Sequence, residues 1–194
     1  MEPRDLSAHP DRVRWNAKYE SADVPRFAPH ALAEWAFATP VPDGPVLDLA
    51  SGPSGSALRF AAEGRAVTAV DVSEVALRLL RAEARRRGLD DLITLVQADL
   101  ATWRPAPADQ YAAVLCTGFW DERIFRPAVE AVRSRGLVLW EAFTAEARRH
   151  RPRLPSEWCL GQDEPGCLLP ERFTIILQQE LPDQGKRRFA ARAA

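Results

Sequence analysis

The stretch Val46-Leu47-Asp48-Leu49-Ala50-Ser51-Gly52-Pro53-Ser54-Gly55-Ser56 decides the fold. Its apolar opening reads as a buried strand over residues 46–50. The small residues that follow allow backbone to approach a ligand closely, and a helix is expected immediately after, over 56–63. Downstream the same alternation repeats. A strand over 66–70 runs into Asp71. Ser73 caps a helix over 74–87, which Gly88 stops. Strands are expected at 92–96, 111–116 and 137–140, with a helix at 124–132 between the last two. Nearly continuous apolar strands alternating with helices describe a parallel sheet covered on both faces. The end of the chain differs. Segments 173–181 and 186–192 flank Pro182-Asp183-Gln184-Gly185, a hairpin signal in which Gly185 supplies a positive φ.

Upstream of the first strand, residues 11–19 form an expected short helix carrying Trp15 and Tyr19, and 29–38 a second with Pro29 in its first turn. Residues 39–45 are rich in Pro and Gly and lead into the main fold. The expectation is one α/β domain: a helical cap segment over 1–44 and a Rossmann-like core over 45–194. That core holds a mainly parallel seven-stranded sheet, helices on both faces and a C-terminal antiparallel hairpin.

The 194 residues suffice for a substantial core, and 46% hydrophobic with 27% charged residues is ordinary for a globular chain. A net charge of −1 gives no overall electrostatic case for nucleic acid or a membrane surface. The basic runs Arg85-Arg86-Arg87, Arg148 to Arg153 and Lys186-Arg187-Arg188 read as solvated faces. Three cysteines, Cys116, Cys159 and Cys167, describe neither a disulfide framework nor a zinc site. No apolar leader or spanning segment is present, so the cytoplasm is the expected location.

In a doubly wound sheet a ligand binds beyond the carboxyl ends of the strands, where strand order reverses. Three successive strands end in acids there: Asp48, Asp71 and Asp99. Asp48 is unfavourable beside a pyrophosphate and suits a cationic ligand. Asp71 is placed to accept from two ribose hydroxyls, a device that dinucleotide enzymes share. Asp99 is placed to accept from an adenine amino group, with Leu100 packing on the ring. Each acid alone has a local explanation as a turn or cap residue; the three together do not.

The run from Pro45 to Asp99 resembles motifs I to III of class I S-adenosylmethionine-dependent methyltransferases. Trp15-Asn16-Ala17-Lys18-Tyr19 resembles the N-terminal Trp-x-x-x-Tyr element of small bacterial members, including the tellurite-resistance type. Gly136-Leu137-Val138-Leu139-Trp140-Glu141-Ala142-Phe143 is similar to their fifth strand, and Leu168-Leu169-Pro170-Glu171 to the segment before their final hairpin. The resemblance implies S-adenosyl-L-methionine as cofactor and S-adenosyl-L-homocysteine as product. It implies that Asp48, Ala50 and Gly52 line the methionine part, Asp71 and Val72 the ribose, and Asp99 and Leu100 the adenine. Cys116 and Thr117 would close the pocket, with Trp15 and Tyr19 as a lid. The family's loop carries Gly where this chain has Ala50 and Ser54, which puts the path of the loop in question.

The expected acceptor is a small molecule reached from the fourth and fifth strand ends, past Phe119, Trp120 and Phe143. Glu141 is the first candidate for base or anchor and His150 the second. Asp121 and Glu122 follow the fourth strand without a second acidic cluster, so no metal is expected. Two alternatives stay open: an NAD(P)-dependent oxidoreductase, disfavoured by Asp48 and the missing glycines, and a catalytically inactive S-adenosylmethionine-binding module.

Overall fold

A computed structural model describes residues 5–21, 26–105 and 109–194. The elements in order are α1 (Pro10–Ser21), α2 (Ala31–Phe37), β1 (Val46–Leu49), α3 (Gly55–Ala62), β2 (Val67–Asp71), α4 (Glu74–Arg87), β3 (Ile93–Gln97), β4 (Tyr111–Thr117), α5 (Glu122–Glu130), β5 (Val132–Thr144), β6 (Cys159–Leu160), β7 (Phe173–Leu181) and β8 (Lys186–Ala193). The sheet order is β3-β2-β1-β4-β5-β8-β7, with β6 pairing β5 off that path. The strands from β1 to β5 are parallel neighbours, whereas β8 runs antiparallel to both β5 and β7. The mixed α/β architecture and closing hairpin are as the sequence implies. The strand count is eight rather than seven, because Cys159–Leu160 adds a two-residue parallel rung beside Phe143–Thr144. No signal in so short a segment distinguishes it from loop.

Alternation along β1 sorts the core. Leu47 and Leu49 join the cluster under α5, with Val114, Cys116, Phe125 and Trp140. Val46 faces the other layer, where Leu32 of α2, Leu58 and Phe60 of α3 and Leu80 of α4 close over Leu115 and Leu139. Each fully buried side chain of this size stabilises the fold by about 1.5–3 kcal/mol relative to exposure. Local signals fix the ends. Ser73 Oγ accepts from Ala76 N at 3.1 Å, and Gly88 ends α4 at φ 68°. An N-cap of this kind contributes about 1 kcal/mol.

Two boundaries differ from expectation. The helix expected over 29–38 with Pro29 in its first turn runs from Ala31 to Phe37, and His30 caps it, its Nδ1 accepting from Leu32 N at 3.1 Å. The helix expected over 124–132 ends at Glu130. From Val132 the chain already pairs with Tyr111, and a register shift absorbs the turn containing Arg135 and Gly136 before β5 continues against β4. Among the described residues no helix is long and apolar enough to cross a membrane.

Candidate functional site

The loop between β1 and α3 explains its departures from the glycine pattern. Ser54 is the N-cap of α3: its Oγ accepts from Ala57 N at 2.9 Å and donates to Asp48 Oδ2 at 2.5 Å. The serine thus holds both the helix end and the strand-end acid. Ala50 takes φ 48° and Gly52 φ 58°, so the left-handed bends persist although one glycine is lost. A non-glycine residue there costs roughly 1 kcal/mol. Gly55 is required for another reason: a Cβ on it would stand 2.3 Å from the Ala28 carbonyl oxygen. The segment leading into α2 lies against this loop.

Asp48 is 2% exposed. Burial pushes its carboxyl up to about 7; the Ser54 hydrogen bond opposes the rise and the charge of Asp71 adds to it. A cation placed beside it would restore the ionised form. Asp71 ends β2, also buried. Its Oδ2 accepts from Gly52 N at 2.7 Å and its Oδ1 from Ser73 N at 2.8 Å. Burial raises its carboxyl, against these backbone donors. Each oxygen retains acceptor capacity for one more donor, which suits a ribose diol. Val72 follows it, half-buried. Asp99 lies past β3, Oδ1 accepting from Ala101 N at 2.9 Å and Oδ2 standing 3.7 Å from His9 Nε2. His9 Nδ1 is buried with no hydrogen-bond partner among the described residues. Leu100 is buried in the core cluster under α5.

Helix α1 lies over these acids. Arg12 makes two hydrogen bonds to Glu74, Nε to Oε2 at 2.8 Å and Nη2 to Oε1. Asn16 Oδ1 accepts from Ser73 Oγ at 2.6 Å. The Trp15 and Tyr19 rings stack at 5.8 Å. Tyr19 Oη reaches within 2.8 Å of where a Cβ on Gly52 would be, and burial followed by the charge of Asp71 holds its phenol well above the usual range. Tyr19 therefore lies against the loop at Gly52, with Trp15 stacked on it.

On the acceptor side the sequence reading needs correction. Trp120 is buried, tilted on Phe125 and edge-on to Trp140, and belongs to the core rather than a pocket wall. Phe119 is half-buried, and its carbonyl accepts from Trp140 Nε1 at 2.9 Å. Cys116 is fully buried, its thiol pushed up by burial and then by Asp48; Thr117 is half-buried beside it. His150 is exposed at the end of the short helical turn Ala145–Arg149. Glu141 is 1% exposed and accepts from Lys186 Nζ at 2.7 Å and Arg188 Nε at 2.6 Å. His30 Nε2 stands 3.2 Å from its Oε1. Since His30 Nδ1 accepts from backbone, Nε2 carries the proton and donates to Glu141. Burial pushes Glu141 up, but the hydrogen bonds from His30, Lys186 and Arg188 outweigh it and hold the carboxyl well below its ordinary range. The run Lys186-Arg187-Arg188 is thus not a solvated face. Lys186 and Arg188 meet Glu141, and buried Arg187 meets Glu180 and the carbonyls of Gly161 and Glu164. Strand alternation sends these neighbours to opposite faces of β8.

Asp121 caps α5, accepting from Arg123 N at 2.8 Å, and Glu122 pairs with Arg126. A shallow cleft bordered by Phe37, Thr39, Val41, Phe60 and Arg65 lies at the amino ends of the strands, away from the acids. Its one titratable group, Arg65, is spent on the carbonyls of Val41, Pro42 and Gly44.

Residues 46–136, which contain all three acids, match the family described as a methyltransferase domain. No curated protein sequence matches the chain. Among solved structures, geranyl diphosphate C-methyltransferase from Streptomyces coelicolor A3(2), in complex with Mg2+, geranyl diphosphate and S-adenosyl-L-homocysteine, is similar at a TM-score of 0.74, with 12% identity over 96% of this chain and 99% of that one. The CcbJ methyltransferase from Streptomyces caelestis is similar at 0.69, with 16% identity over 92% and 96%. A protein studied in the conversion of a disulfide bond into a thioacetal group during echinomycin biosynthesis is similar at 0.70, with 18% identity over 94% and 91%. The fold is that of these proteins. The methyltransferase-domain match covers residues 46–136, the part of that fold that carries β1 to β4, α5 and the three acids.

Proposed function

We propose that this protein transfers a methyl group to a small-molecule acceptor, with the adenosine held by Asp71 and Asp99 and the methionine end by the loop from Asp48 to Gly55. The observation that carries the reading is the row of acids along three neighbouring parallel strands, on β1, at the end of β2 and just past β3, the first two buried. When bound, the cofactor supplies an activated methyl on a sulfonium. Asp48 faces its cationic end. Asp71 takes the ribose hydroxyls on the lone pairs that Gly52 and Ser73 leave free. Asp99 and the unpartnered His9 Nδ1 offer polar atoms to the adenine edge. Tyr19 and Trp15 cover the loop and exclude water. Transfer to an oriented acceptor is an in-line displacement in which positioning supplies much of the rate.

Glu141 enters as a positioning residue rather than a base. A carboxylate holding three donors, with its basicity lowered, is a poor proton acceptor. His150, exposed on its turn, has no part in the proposal. The acceptor side is formed by Phe119 and Phe143, at the ends of β4 and β5. Geranyl diphosphate, bound by one structural relative, illustrates a small-molecule acceptor on this fold. The resemblance to the tellurite-resistance type rests on Trp15-to-Tyr19 and Leu168-to-Glu171 and enters no step. The helical segment up to residue 44 is proposed as a cap on the core.

The test is calorimetric titration with S-adenosyl-L-homocysteine. Binding is expected, and Asp71→Ala should weaken it by about 2 kcal/mol, roughly thirtyfold, through the lost pair of charge-assisted hydrogen bonds. A wild-type protein that binds nicotinamide dinucleotides and not this ligand would overturn the reading.

A further inference from the structure

Beyond Phe143, three cations meet from two parts of the chain, Arg14 and Lys18 from α1 and Arg151 from the segment after β5. Arg14 Cζ lies 5.5 Å from the Trp15 ring and 5.2 Å from the Trp158 ring. Lys18 Nζ stands 4.2 Å from the Trp15 ring and 5.7 Å from that of Tyr19. Arg151 Cζ lies 4.7 Å over Phe143, and Lys186 Nζ is 5.4 Å from the same ring. Among the described residues none of Arg14, Lys18 and Arg151 has an acidic partner. Glu141, the buried acid that Lys186 meets, is already committed to His30, Lys186 and Arg188.

The arrangement opposes the stability of α1. Arg14 and Lys18 are four residues apart on one helix, a like-charge spacing that destabilises it. Burial lowers the Lys18 amine, and the charges of Arg14 and Arg151 lower it further, so the three sense one another. Several other helical arginines are paired: Arg86 and Arg87 share Glu83, Arg126 meets Glu122 and Arg149 meets Glu146. At the aromatic mouth beside the lid three cations gather on ring faces with no acidic partner among the described residues. Guanidinium and ammonium groups seated on ring faces keep their outer donors for an anion, and the rings offer flat apolar contact to the body that bears it.

We propose that the methyl acceptor is an organic anion, a carboxylate or phosphate on an unsaturated or aromatic body, held by Arg14, Lys18 and Arg151 against Trp15, Phe143 and Trp158. This rests on the methyltransferase reading and names the substrate class of the same site. Tyr19 joins the two halves, since it borders Lys18 on one side and Gly52 of the cofactor loop on the other.

The test uses protein saturated with S-adenosyl-L-homocysteine and matched probes: 4-hydroxybenzoate against its methyl ester, and phenyl phosphate against phenol. At least one anion is expected to bind about tenfold more tightly than its neutral partner, and the pair that shows the preference identifies carboxylate or phosphate. The preference should shrink between about 50 and 300 mM KCl. In Arg14→Gln/Arg151→Gln it should fall by about fivefold or more, with S-adenosyl-L-homocysteine affinity unchanged. In Arg85→Gln/Arg86→Gln, which removes equal charge at a remote site, it should persist. Neutral probes binding as well as the anions, or a preference that survives the first double variant or is lost equally in the second, would overturn the proposal. Failure of wild type to bind S-adenosyl-L-homocysteine at all is a separate outcome and counts against the methyltransferase reading instead.

Discussion

At Asp48 stability and binding pull in opposite directions. Its carboxyl, with an ordinary value near 3.9 in an unfolded chain, is raised to about 7 mainly by burial. A group raised on folding favours the native state when protonated and penalises it once ionised. The penalty therefore grows as pH rises above about 4 and is complete past 7. Asp48→Asn removes it. The variant is expected to be more stable than wild type by roughly 4 kcal/mol at pH 8 and equal to it near pH 4, read from urea unfolding. Its affinity for S-adenosylmethionine should fall, because an amide offers no charge to the cationic end. Equal stability differences at both pH values would show that burial does not act on this carboxyl. The acid was legible from the sequence because a charged residue closing an apolar strand stands out. The role of Ser54 was not. In the glycine pattern it reads as a defect, and only the distance to Asp48 shows it as the acid's donor and the helix cap.

Among elements, α1 is the one held without a core. It contributes no buried residue, and its attachment to α4 runs through Arg12–Glu74 and Asn16–Ser73. Such half-exposed polar contacts are worth about 0.5–1 kcal/mol, enough to seat a lid and little enough to release it. Arg12→Ala should therefore weaken cofactor binding about two- to fivefold, while thermal unfolding stays within about 2 °C of wild type. Unchanged affinity would remove α1 from the site. Elements with strong local punctuation were readable in advance: α4 runs from its Ser73 cap to Gly88, and the final hairpin turns at Gly185. The α5–β5 junction was not, because Val132 is claimed by pairing with Tyr111. That is a tertiary demand, and it overrides the helical periodicity of 124–132. The two residues of β6 likewise have no pattern of their own and exist as strand only against Phe143 and Thr144.

Across the whole molecule, Glu141 ties together parts that the sequence keeps far apart. Lys186 and Arg188 are 45 and 47 residues away along the chain, yet β8 lies beside β5 and delivers both, while the cap of α2 delivers His30. Periodicity could place Glu141 at a strand end and the basic run on a strand, but only sheet order shows that they face each other. Glu141 is held below its ordinary value, so its contribution is complete above the unfolded-state value of about 4.3 and is lost as pH falls below it. Glu141→Gln leaves Lys186 and Arg188 without their acid. The variant should lose roughly 3 kcal/mol at pH 7, somewhat less than breaking a fully buried pair because both cations are partly exposed. The gap to wild type should narrow below pH 4, as wild type loses the same interaction. Denaturant unfolding across this range measures it. Kinetics at low temperature, where the variant stays folded, separate the two roles considered for this residue. A positioning residue leaves the pH dependence of kcat in place and raises KM for the acceptor. A base would instead remove the acidic limb of the kcat profile, and that result would return Glu141 to the catalytic step.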